Sequence, residues 1–309
     1  MNIIKWDGKP ITSNGVYAGI PINDYHERLT DGASISSSGL RTIMSKSLAH
    51  YFDGSYLNPD RAETSTSAAF TLGRAAHHIL LGEADFAKHF LIRPDEIDGK
   101  PWHGNRTECR EWMKWAEADG RDILSKDDIQ KIRGMSASLG KHPLVRSGIL
   151  NGLIEHSFVW KDEETGVWLK SRPDAIPTDS GDFADLKTTS DITDDGLARS
   201  VGSYGYHMQA ALVGMGYRAL TGQAMSSFSL VFVESSRPYC VRVKALTDDD
   251  IQLGEKQIRV ALRQFAEALN TGEWLPPGGL QTDAEYIRMK PWDRTIIENA
   301  LSVYEAEHV

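Results

Sequence analysis

A chain of 309 residues with 40% hydrophobic and 25% charged content is a soluble globular protein able to bury a full core, as one enlarged domain or two closely joined ones. Its net charge of −9 argues against a protein that coats nucleic acid non-specifically, though an acidic exterior is compatible with a basic channel. Cys109 and Cys240 are the only cysteines, which excludes a four-cysteine zinc or iron–sulfur site and speaks against a disulfide framework.

Gly8, Pro10, Gly15, Gly19, Pro21 and Gly32 break residues 1–33 into loops and short extended pieces, with a strand or packed arm over Gly15–Ile20. The first ten residues lack the layout of a signal peptide. Ser36 to Ser38 offer N-caps for a helix carrying Leu40, Ile43, Met44 and Leu48. A polar loop is expected over 52–66, then a helix from about Ser67 to Leu81 on which Gly73 and His77 share a face. Gly82-Glu83 ends it and a shorter helix follows around Ala84–Phe90. After a loop at 92–106, further helices are expected over Glu108–Ala118 and Lys126–Gly140, the second opened by Ser125.

Beyond His142-Pro143 the pattern changes. Leu153–Trp160, Val167–Asp174 and Asp182–Thr188 read as successive strands, the first two joined by Asp162-Glu163-Glu164-Thr165-Gly166. A polar helix or loop over 191–199 precedes a helix over Val201–Leu220. Two strands (Ser227–Glu234 and Tyr239–Ala245) and a long helix from Asp248 to Leu269, capped by Thr247, follow. The tail from Leu280 is polar, with Tyr286, Trp292 and Tyr304 as aromatic anchors. No apolar run approaches the roughly 18 residues that span a bilayer. The expected architecture is a single α/β (α+β) unit: a mainly helical part over 1–150, a core with a mixed sheet flanked by helices over 151–275, and a tail over 276–309.

Chemistry concentrates between Lys170 and Thr189. Pro173-Asp174 is followed ten residues later by Asp185-Leu186-Lys187, and alternation along a strand places Asp185 and Lys187 on one face with Leu186 toward the core. Two carboxylates and a lysine at a sheet edge suit hydrolysis of a phosphodiester by divalent metal, in which oxygen ligands hold Mg²⁺ or Mn²⁺ with open positions for water and phosphate. Glu155, on the preceding strand, is a further candidate to ligate metal or order the attacking water. Lys187 would polarise that water or offset transition-state charge.

Arg172-Pro173-Asp174, Asp185-Leu186-Lys187-Thr188-Thr189 and Tyr206-His207-Met208-Gln209 together resemble the PD-(D/E)xK nuclease superfamily, and within it the RecE-type exonucleases (exonuclease VIII catalytic domain). Gly73-Arg74-Ala75-Ala76-His77 looks like that family's G-x-x-x-H helix; Ser36-Ser37-Ser38-Gly39-Leu40, Tyr217 and Asn270–Trp274 are also similar, so the resemblance spans roughly 14–277. It implies a restriction-endonuclease-like core and a Mg²⁺-dependent 5′→3′ exonuclease acting on duplex DNA ends. It also implies metal ligation by His77, Asp174, Asp185 and the Leu186 carbonyl, with Lys187 as catalytic lysine. Tyr206 and Gln209 would orient the site or touch DNA. Where relatives commonly carry a second tyrosine, four residues after the glutamine, this chain has Val213. A homo-oligomeric ring, a RecT-type single-strand annealing protein as partner and a cytoplasmic location, in a bacterial or phage-infected cell, follow from the same resemblance. The alternatives are an endonuclease of the same fold and a catalytically silent DNA-binding module. Arg41, Lys46, Arg61, Arg74, Arg93 and Arg106 are candidates for phosphate contacts, Arg172 is an ion-pair partner or phosphate clamp, and Tyr56 or Leu57 a wedge at the duplex end.

Overall fold

The computed structural model describes residues 1–62, 68–82, 85–178 and 180–307. Part of the expected loop at 52–66, the helix start at Ser67, and the Glu83 and Ala84 punctuation lie outside the described residues.

The fold is mixed α/β, with mixed sheets flanked by helices, as the sequence leads one to expect. The hairpin Ser157–Lys161/Trp168–Ser171 is its spine: antiparallel, with Trp160 opposite Leu169 and Phe158 opposite Ser171. All four residues of the second strand are buried, so one face alone cannot explain the pattern. Strands Gly15–Ala18 and Ser34–Ser36 join its two sides and Ile3–Lys5 adds at one edge, giving five strands with antiparallel centre and parallel outer pairs. Residues from the expected helical N-terminal part thus complete the core sheet.

A second sheet has three strands: Asp182–Thr189 runs parallel to Ser227–Glu234, which pairs antiparallel with Val241–Ala245. Its first two strands are covered on both faces. Phe183, Phe228, Leu230 and Phe232 enter the larger core with Met208, Leu212 and Phe265, while Ala184, Leu186, Val231 and Val233 enter a second core with Ala75, Ala76, Ile132 and Met135. That two-sided burial is why Ser227–Glu234 reads as a nearly continuous apolar run. Helix Tyr206–Thr221 lies over the spine so closely that a Cβ on Gly216 would stand 2.7 Å from the Trp160 ring.

Several element boundaries differ from those the sequence suggests. Within the mixed α/β core, the hairpin and the Asp182–Thr189 strand fall in separate sheets, because Ser171 to Asp174 leaves the hairpin before that strand begins. The helix over Val201–Leu220 is two helices, Asp194–Tyr204 and Tyr206–Thr221, divided by Gly205 at φ +64°, a conformation glycine adopts without strain. Likewise Leu48 starts its own helix, Leu48–Asp53, capped by the Ser47 hydroxyl. In the tail, Pro291–Glu307 is helical, with proline suiting its first turn, and Tyr286, Trp292 and Tyr304 are exposed and do not anchor it in the core. Among the described residues no helix is long and apolar enough to cross a membrane.

The hairpin turn is tied to the long helix Asp248–Thr271 through Asp162. Its carboxylate accepts bonds from the Thr165 N–H (3.0 Å) and hydroxyl (2.9 Å) and pairs with Arg259. Burial alone would raise its pKa, but Arg259 and Thr165 outweigh that and hold it below the ordinary carboxylate value. A depressed folded-state pKa gives stability that is present above the unfolded value, about 4, and lost as pH falls through the folded one. Asp162→Asn is therefore expected to cost about 1–3 kcal/mol in urea unfolding at pH 7 and to flatten the acid limb of the stability curve. A variant with wild-type stability at pH 7 would contradict this role.

Candidate functional site

The Asp182–Thr189 strand is an edge strand, and the segment after the hairpin meets its open side. There the Leu186 N–H donates to Asp174 Oδ2 at 2.6 Å. A strand residue directs its N–H and C=O to the same side, so the Leu186 carbonyl also faces this edge. Its side chain is fully buried in the second core. Pleating carries Asp185 and Lys187 to the other face, toward the start of helix Tyr206–Thr221. Gln209 Nε2 donates to Asp185 Oδ1 at 2.8 Å, and Lys187 pairs with the other Asp185 oxygen. The Lys187 ammonium also lies 4.8 Å from the Tyr206 ring centroid. The break at Gly205 starts a fresh helix here, so Tyr206 and Gln209 stand one turn apart in its first turns.

His77 comes from helix Ala68–Leu80, with Nδ1 3.5 Å from Asp174 Oδ1. One turn earlier Gly73 faces Thr188, where a Cβ would sit 3.5 Å from the hydroxyl, an ordinary contact. Seven of the eight site residues read from the sequence (His77, Asp174, Asp185, Leu186, Lys187, Tyr206 and Gln209) are thus linked by these contacts. Glu155 differs: it lies at φ +59° between strands Leu153–Ile154 and Ser157–Lys161, exposed, one residue past the Ile154–Ala175 pair. Its side chain bonds to none of the seven.

Electrostatics distinguish the two carboxylates. Burial would raise Asp174, but His77 and Lys187, with the Leu186 N–H, bring it below the ordinary value. Asp185, only 1% exposed, is pushed up by burial and by the charge of Asp174, more than Lys187 offsets. His77 and Lys187 are both raised, since the carboxylates outweigh the effect of burial. Two carboxylates and a carbonyl at one edge are hard oxygen donors of the kind that suit Mg²⁺ or Mn²⁺. Among the described residues no three His, Cys, Asp or Glu side chains form a metal cluster unaided, and the Lys187 ammonium supplies the cation beside Asp185. The donor set fits a divalent cation in kind, with the Leu186 carbonyl and water completing it.

Arg41, a candidate for phosphate contact, lies beside the site. Its guanidinium donates to the Tyr204 and Ser37 carbonyls; burial lowers its pKa, opposed by Tyr206 and Asp185 close by. Its position just past Ser36–Leu40 was the available signal. Four of the five other basic candidates have structural partners: Arg61 pairs with Glu27, Arg74 with Asp122, Arg93 packs over Trp102, and Arg106 donates to backbone carbonyls. Arg172 donates to the Ser157 hydroxyl and the Ile20 carbonyl, tying the N-terminal segment to the sheet. Tyr56, read as a wedge, accepts from the Ser34 N–H instead. Tyr217 is buried against Phe183 and donates to Gln223, a core role.

Residues 36–289 match the family described as PDDEXK-like domain of unknown function (DUF3799). The chain belongs to this family. The PDDEXK-like domain here is also similar to a solved structure of a provisionally assigned exonuclease from Eubacterium rectale, at 14% identity and a TM-score of 0.56, covering 89% of this chain and 94% of the other. That likeness supports the fold. A phage-related exonuclease from Haemophilus somnus (14% identity, TM-score 0.32, 82% of this chain and 99% of that one) and an alkaline exonuclease from Laribacter hongkongensis (15%, 0.23, 54% and 86%) match too weakly to bear on it. No curated protein sequence matches.

Among the described residues, Gln209 is the side chain that donates to Asp185 Oδ1. Gln209→Leu, which keeps the volume and removes the donor, is expected to cost about 1–3 kcal/mol by leaving a buried acceptor unpaired. Urea unfolding midpoints indistinguishable from wild type would show that Asp185 does not depend on this bond.

Proposed function

We propose that this PDDEXK-like domain is a divalent-metal-dependent deoxyribonuclease that degrades linear duplex DNA from 5′ ends. The observation that supports it best is the convergence of Asp174, Asp185, Leu186 and Lys187 on one strand edge, with His77 and Gln209 from separate helices. Asp174, Asp185 and the Leu186 carbonyl would hold the ion, with His77 and Glu155 as further candidate ligands. Bound Mg²⁺ or Mn²⁺ would supply Lewis-acid stabilisation of phosphoryl charge and acidify a water. Gln209 fixes the orientation of Asp185, and the Tyr206 ring face confines the Lys187 ammonium. With its pKa raised, Lys187 is protonated at neutral pH. It therefore acts as a cation facing developing negative charge and not as a base.

The finer reading is a RecE-like exonuclease that leaves 3′ single strands for annealing by a RecT-type protein, working as a ring in the cytoplasm of a bacterial or phage-infected cell. It rests on the motif combination in the sequence. In a ring, a channel rather than the acidic exterior would carry the attraction for DNA.

With Mg²⁺, 5′-labelled linear duplex is expected to lose its label before 3′-labelled duplex, while covalently closed circles stay intact and chelator stops the reaction. Lys187→Ala should lower the rate by about 10²–10³-fold, the scale of one lost transition-state charge contact, with the circular dichroism spectrum unchanged. Full activity in Asp185→Ala would overturn the metal-site assignment, and cleavage of closed circles would make the enzyme an endonuclease.

A further inference from the structure

One exposed aromatic ring stands beside the site. Tyr204 ends helix Asp194–Tyr204 and is 62% exposed, while Tyr206, two residues on, is half-buried. Their ring centroids lie 5.6 Å apart at 34°. Tyr206 in turn faces the Lys187 ammonium at 4.8 Å. Lys187, Tyr206 and Tyr204 therefore form a file that leads from the strand edge out to solvent. The Tyr204 ring stands one aromatic away from the ammonium, within the span that separates a phosphate from the base of its own or the next nucleotide.

The ring is held in place by its backbone. Gly205, at φ +64°, turns the chain between two helices, and its N–H closes the first of them on the Val201 and Gly202 carbonyls. Arg41 crosses this corner: its guanidinium donates to the Tyr204 carbonyl, and a Cβ on Gly205 would stand 2.7 Å from its Cδ. A backbone fixed in this way leaves Tyr204 only its two side-chain torsions, so little freedom is lost when a flat partner lies on the ring. An exposed ring next to a cationic site is the arrangement with which proteins hold single strands: charge takes the backbone and the ring takes the base.

We infer that Tyr204 is a stacking platform for an unpaired base of the substrate strand, placed so that the phosphate next to that base meets Lys187. A base within a duplex already stacks on both neighbours and is out of reach of a side-chain ring. One at a strand end or in a single-stranded overhang is free to stack. The substrate that fits is therefore a single-stranded or frayed end, taken with little regard to sequence because every base has a π-face. The inference rests on the nuclease reading for its ligand, and it adds a binding residue outside the metal-binding cluster.

Binding to the full chain in Ca²⁺ tests it, by fluorescence anisotropy of a labelled duplex with a three-nucleotide 5′ overhang and of the same duplex with abasic residues in the overhang. The wild type is expected to bind the intact overhang about fivefold or more tightly than the abasic one, the scale of one lost base–ring stack. Tyr204→Phe should keep that ratio and Tyr204→Ala bring it close to one, both with wild-type circular dichroism spectra, since the ring is exposed. A ratio of one in the wild type, no binding of either duplex, or a Tyr204→Ala chain that discriminates like the wild type overturns the inference. Tyr204→Phe behaving like Tyr204→Ala does so too, because the hydroxyl and not the ring would then carry the contact. Adding Mg²⁺ to the same samples separates the two readings: discrimination without cleavage leaves the platform and removes the nuclease, and cleavage without discrimination does the reverse.

Discussion

Where the hairpin ends and the Asp182–Thr189 strand begins, a row of backbone groups faces an unpaired edge, and the Asp174 carboxylate closes it at Leu186. An open strand edge invites pairing with other chains. A charge-assisted bond to a backbone N–H, worth about 1.5–3 kcal/mol, seals that edge and joins the two sheets without a ladder of hydrogen bonds. The seal depends on Asp174 keeping its negative charge while largely buried, which His77 and Lys187 make possible. The rest of the site follows from this constraint. Asp174 needs cations near it, Lys187 needs Asp185, and Asp185 needs Gln209. Stability and chemistry rest on the same carboxylates, so a bound divalent cation would relieve a repulsion the fold has already built in.

Much of this was legible because strand alternation is rigid. Asp185-Leu186-Lys187 could only divide its side chains between two faces, and the structure places Leu186 in a core and the charged pair opposite. His77 and Gln209 were legible only through motif resemblance, since nothing in residue spacing reveals that helices 130 residues apart meet at one strand. The missed features are tertiary. Ser34–Ser36 becomes a strand by pairing with Trp168–Lys170, which its sequence does not announce, while Ser36 also stands at the N-cap of helix Ser37–Ser45, as the cap reading of Ser36 to Ser38 expects. The second sheet separates because the Pro173-Asp174 segment turns away, a departure that alternating hydrophobicity does not encode. Gly205 was a readable helix stop obscured by apolar residues on both sides. In the tail, Lys290-Pro291 with Trp292 and Ile296 was a readable start, passed over because the surrounding residues are polar.

On the proposed nuclease reading, an acidic chain would handle an acidic polymer. Most basic residues outside the site are spent on local partners, as Arg61, Arg74, Arg242 and Lys244 show. On that reading, affinity for phosphate would come from a few groups near the strand edge, among them Lys187 and Arg41.

The central claim is that the Asp174–Leu186 edge is a cation site. Calorimetric titration of Mn²⁺ into the full chain tests it most directly, with Asp174→Asn as the comparison and thermal unfolding as the check on folding. The account predicts saturable binding to the wild type and at least a tenfold loss of affinity in a folded Asp174→Asn chain. Equal binding by both chains, or none by the wild type, would contradict it.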